Sequence, residues 1–153
     1  MTDTWRHLPA PARPIAASAT AAVAAVRAKD STALDDAVTA LAGLDPAQSG
    51  LVLGTAVRLL LEDGHPDGLT ADDVRATLAS CVRSWPEQAD PQVVLWLLAG
   101  ALGVLDEDGT PPPKPDALAR NAAVLLADLL AGRPLAPWWT ATLAEIERAQ
   151  LND

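Results

Sequence analysis

Residues 90–105, DPQVVLWLLAGALGVL, carry the reading of the fold class. Asp90 is a side chain suited to accept from the free amides of a helix start, and Pro91 is pre-shaped for the first helical position. From Val93 to Leu105 the segment contains only apolar residues and glycine. It falls short of the roughly 20 apolar residues that cross a bilayer, so it predicts a helix buried in a protein core, apolar all round and central to the fold.

The rest of the chain agrees with a helical core. Of 153 residues, 50% are hydrophobic but 3% aromatic, with five Trp and no Phe or Tyr. Leu, Val and Ala must supply the packing, and the abundance of Ala and Leu favours helices over strands. Start and stop signals divide the sequence into about seven helices. Asp45-Pro46 repeats the start at Asp90-Pro91, and Gly64 closes that helix. Thr70 caps the next, with Asp72 and Asp73 in its first turn and Val74, Leu78, Cys81, Val82 and Trp85 on its apolar face. Ser31 is the expected cap of a helix ending at Gly43; a helix over 14–29 precedes it, one with Leu118, Ala122, Leu125, Leu126 and Leu129 on one side follows the 106–115 loop, and a last one starts at Pro137. The expected organisation is a Pro-rich arm over 1–13 and a single all-helical domain over 14–153.

An offset of 45 residues aligns more than the Asp-Pro pairs. Glu62-Asp63-Gly64 falls on Glu107-Asp108-Gly109, and Pro66 on Pro111. Two stacked antiparallel helix hairpins of equal length are implied. The period and the two helices per unit are similar to those of HEAT-like and armadillo-like solenoids, so the all-α fold is expected to be such a short solenoid or else an orthogonal bundle. In a stack of hairpins, the loops at 63–69 and 106–115 share one edge.

That edge concentrates charge. The net charge is −9, with +3 over residues 1–29 and −12 over the remainder. Nucleic acid binding through a basic face is excluded by this balance. Glu62, Asp63, Asp67, Asp106, Glu107 and Asp108 form the expected partner-binding ridge, suited to a protein with a basic surface, and Trp138 is a candidate interface anchor unless it folds back over Arg133-Pro134-Leu135. The loop from Asp63 resembles the opening of a calcium-binding EF-hand loop, but His65 and Val74 stand where an oxygen ligand and the closing Glu are needed. No metal site follows from it.

No nucleophile elbow, phosphate-binding loop, paired histidines or Cys-x-x-Cys is present, and nothing calls for a cofactor. Cys81, the single cysteine, lies on an apolar helix face and cannot form an internal disulfide, so nothing argues for an oxidising compartment; a cytoplasmic protein from a GC-rich bacterial genome is expected. The expected function is therefore a non-catalytic, adaptor-like interaction module. One alternative is a small-molecule-binding protein in which Trp96 and Trp139 line an apolar pocket between the fifth and seventh helices. A metal-dependent enzyme using clustered carboxylates is the other.

Overall fold

The computed structural model describes residues 12–105 and 111–151, which form seven α-helices and no strand. They are α1 (Arg13–Ala28), α2 (Ser31–Ala42), α3 (Pro46–Gly64), α4 (Ala71–Ser84), α5 (Pro91–Ala101), α6 (Pro115–Leu130) and α7 (Ala136–Leu151). The start signals act as the sequence implies. Asp45 accepts from the Gln48 amide at 2.9 Å, and Asp90 from the Gln92 amide at 3.0 Å. At α4 the cap is reciprocal: Thr70 Oγ1 accepts from the Asp73 amide at 3.1 Å, and Asp73 Oδ2 from the Thr70 amide at 2.9 Å. The bond from the Thr70 amide is the largest cause holding the Asp73 carboxyl below the ordinary carboxylate range. The cap is therefore complete at neutral pH and is lost only as pH falls through that lowered value. At α2 the cap is Asp30, not Ser31, because the carboxylate one residue earlier reaches the Ala33 amide at 3.1 Å and leaves Ser31 helical.

The helices are organised around α6. This helix packs against α1, α2, α3, α4 and α5, and every residue from Asn121 to Ala127 is buried. Ala119, Ala122, Ala123 and Ala127 keep its surface thin, which lets neighbours approach from several sides. Its one fully buried polar side chain is satisfied: Asn121 accepts from the Asp90 amide at 2.7 Å, closing the start of α5, and donates to the Ala117 carbonyl at 2.9 Å.

The centre was expected at α5 and lies at α6. Leu95 of α5 is 49% exposed, Trp96 and Leu97 are half-buried, and only Val93, Val94 and Leu98 are buried. Hydropathy measures how favourable burial is; neighbours on all sides decide where it happens. The two Asp-Pro helices also differ in length, with 19 residues in α3 and 11 in α5. Helix α5 packs on α3, α6 and α4, whereas α3 packs chiefly on α7, with α5 and α6 next. Residues 106–110, and with them the second acidic loop, lie outside the described residues, as does most of the 1–13 arm.

The largest fully buried side chain is Trp139, 2% exposed, whose indole N–H donates to Thr20 Oγ1 at 3.0 Å. Truncation there removes a hydrogen bond and opens a cavity. Trp139→Ala is expected to cost about 3–5 kcal/mol in urea denaturation, and Trp96→Ala clearly less because that ring is half-exposed. Equal losses at the two positions would contradict this placement of the core.

Candidate functional site

The acidic residues at the end of α3 are already engaged within the chain. Glu62 pairs with Arg58 at 3.3 Å, and Arg58 also faces Glu145 of α7 at 3.8 Å. Asp63 pairs with Arg133 at 3.1 Å. Arg133 is a junction: its guanidinium donates to the Leu130 and Leu129 carbonyls at 2.9 and 3.1 Å, closing the end of α6, and lies 5.7 Å from the Trp138 ring centroid. Trp138 thus folds back over the α6–α7 turn, half-buried under the arginine. Asp67 is exposed in the turn before α4. Asp106, Glu107 and Asp108, the second half of the expected ridge, lie outside the described residues.

Trp96 and Trp139 occupy different places. Trp96 is on the wall of an apolar pocket of about 280 Å³ that is open to solvent and lined by α2, α3, α5 and α6. Leu41 of α2, Leu53 of α3, Leu97 of α5 and Leu118 and Ala122 of α6 complete much of the wall, and no charged side chain contributes to it. Trp139 is not part of this cavity. The pocket lies between α5 and the α2–α3 corner and not at the expected α5–α7 site, since α7 packs chiefly on α3.

Three further wall residues are glycines: Gly50 and Gly54, one helical turn apart in α3, and Gly100 in the last turn of α5. A glycine inside a helix costs roughly 0.5–1 kcal/mol relative to alanine, and close helix contact is the usual compensation. None exists here. A Cβ at Gly50 or Gly54 would meet nothing within 4 Å, and at Gly100 only a Leu105 methyl at 4.0 Å. All three lie on the pocket wall, Gly54 half-buried and Gly50 and Gly100 exposed. Ser49, also in the wall, has a buried hydroxyl with no hydrogen-bond partner.

These four residues were missed by sequence reasoning. Glycines spaced four apart within a helical segment, with another glycine in the facing helix, are the signal that would have found them. A second cleft, of about 370 Å³, lies between the α1–α2 corner and the turn after α4. It contains Lys29, Asp30 and Glu87 together with Trp85, whose buried indole N–H has no partner.

Among the described residues no group of three His, Cys, Asp or Glu side chains is placed to hold a metal ion, and no helix is long and apolar enough to cross a membrane. Comparison of the chain with protein families, with curated proteins and with solved structures found no significant match.

Cys81 is fully buried on α4, and burial, reinforced by the Asp128 carboxylate, pushes its thiol up to about 12. The neutral thiol is the stable form across the physiological range, so it is not a ready nucleophile. Native protein at pH 8 is expected to resist iodoacetamide, and urea-unfolded protein to be alkylated at one site within minutes. Rapid alkylation of the native state, read by mass spectrometry, would show that α4 opens.

Proposed function

We propose that this protein is a non-catalytic binding protein for a small, mainly apolar molecule, held in the cavity between α2, α3, α5 and α6 against Trp96. The observation that carries this reading is the set of helix glycines. Gly50, Gly54 and Gly100 each weaken a helix, no neighbour packs closely where their side chains would begin, and all three lie on the wall of the same pocket. Stability forgone at three positions around one apolar pocket is what a preserved ligand site entails. Trp96 adds a broad apolar surface at the pocket wall, half-buried and so accessible to an entering molecule.

A protein partner with a basic surface is the second reading, supported by the exposure of Glu62, Asp63 and Asp67 at the α3–α4 turn. Its weight is reduced by the pairing of Glu62 with Arg58 and of Asp63 with Arg133. Ionic strength separates the two, since an uncharged pocket is insensitive to salt and an acidic docking edge is not. We read the arrangement around α6 as a bundle in preference to a solenoid, because one helix with five neighbours is a hub and not a stack. A cytoplasmic setting fits the single buried thiol.

The test is to fill the cavity from within. The Gly50→Ala/Gly54→Ala variant is expected to be more stable without ligand, its melting temperature rising by about 2–4 °C per substitution, since each relieves a helix glycine by roughly 1 kcal/mol. Naphthalene is expected to bind the parent protein in equilibrium dialysis and the variant at least tenfold more weakly. A lower melting temperature, or undiminished naphthalene binding, would contradict the reading.

A further inference from the structure

The joint between α3 and α4 holds a histidine that takes no part in the pocket. We infer that His65 is a proton-sensitive latch: its protonated ring ties the last turn of α3 to the capping carboxylate of α4, and its neutral ring holds α3 alone.

The tautomer follows from the geometry. His65 Nδ1 lies 2.9 Å from the Leu61 carbonyl oxygen. A carbonyl only accepts, so Nδ1 carries a proton and the neutral ring has its lone pair on Nε2. Nε2 faces Asp73 Oδ1, in the first turn of α4, at 3.7 Å. With the ring neutral, two acceptors stand opposite each other and no hydrogen bond forms between them. A second proton, on Nε2, turns the same pair into a charge-assisted bond, and a closure of about 1 Å brings it to the usual length for one.

Both partners are already positioned for that step. Asp73 Oδ2 is taken by the Thr70 amide at 2.9 Å, which leaves Oδ1 for the ring. That same amide bond is the largest cause of the lowered Asp73 carboxyl, so the carboxylate stays charged in the mildly acidic range where histidine takes up its second proton. The backbone of His65 is held as well, because its carbonyl accepts from the Gly68 amide at 2.9 Å and closes the turn that leads to α4. The other acidic residues of this joint are paired or in open solvent. Glu62 meets Arg58, Asp63 meets Arg133, Asp72 meets Arg75, and Asp67 is exposed in the turn. The side chains of His65 and Asp73 are 29 and 32% exposed, so water and salt screen their attraction only in part.

Because the folded protein gains a contact on protonation, this contribution is present at acid pH and is lost as pH rises through the histidine range, between about pH 5 and 8. The latch sits between Asp63 and Asp67, so the proton that tightens the joint also offsets one negative charge on the acidic edge.

Amide hydrogen exchange read by NMR on the full chain reports the latch at the Thr70 and Asp73 amides, both of which bond within the cap. Expressed as protection factors, the rates are free of the intrinsic pH dependence of exchange. Acidification from about pH 8 to about pH 5.5 is expected to raise protection about two- to fivefold, the ratio for a partly exposed ion pair. In His65→Gln, which keeps an N–H donor for the Leu61 carbonyl but takes up no proton, the rise is expected to vanish. In Asp73→Asn it is expected to vanish at the amide of residue 73, and circular dichroism melts confirm that both variants are folded. Sodium chloride at about 1 M is expected to shrink the rise in the parent protein. An equal rise in the parent and in either variant, or protection that falls on acidification, overturns the latch.

Discussion

The burial of α6 on several sides is the constraint from which the rest of the structure follows. A helix that carries only small and aliphatic residues from Ala122 to Ala127 has no face to give to water, and five other helices surround it. Once they do, the remaining polar requirements are local and specific. Asn121 spends its side-chain amide on the start of α5, Arg120 reaches Asp35 of α2 at 2.6 Å and Gln88 at 3.1 Å, and Arg133 closes the end of the same helix while holding α3 through Asp63. The charged groups around α6 thus orient its neighbours, and their partners are spread over α2, α3 and the turn before α5.

The cavity is a consequence of how that hub is dressed. Helices α2, α3 and α5 line the pocket with leucines, and Gly50 and Gly54 of α3 and Gly100 of α5 share its wall without a neighbour packed against them. Filling it with methyl groups is sterically free and favoured by helix propensity. A fold that declines a cheap gain at several positions around one pocket behaves as proteins do when a site is kept at the expense of stability.

Much of the fold was legible in the sequence because the helix ends are written in local chemistry. Asp45-Pro46, Thr70 with Asp73, and Asp90-Pro91 each place an oxygen acceptor within one turn of the amides it must satisfy, and the structure shows those bonds. What the sequence leaves open is set by contacts between distant segments. Val93 to Leu98 is more hydrophobic than α6, yet α6 is the helix enclosed on several sides, and nothing local to either segment encodes the number of its neighbours. The same holds for the tryptophans. Trp96 and Trp139 both lie in apolar patterns, but one lines an open pocket and the other is sealed against Thr20. The acidic residues show the converse limit: Asp63 reads as free surface charge until Arg133, far along the chain, is brought beside it.

A crystal of the protein equilibrated under xenon tests the central claim most directly, because xenon enters apolar cavities and makes itself visible there without supplying any hydrogen bond. The account expects a xenon peak bounded by Gly54, Trp96 and Leu118, with the helix positions unchanged from the unliganded crystal. A structure in which Trp96 or Leu53 has rotated to occupy that space, with no xenon between α3 and α5, would show that the gap is not a binding cavity and would contradict the account.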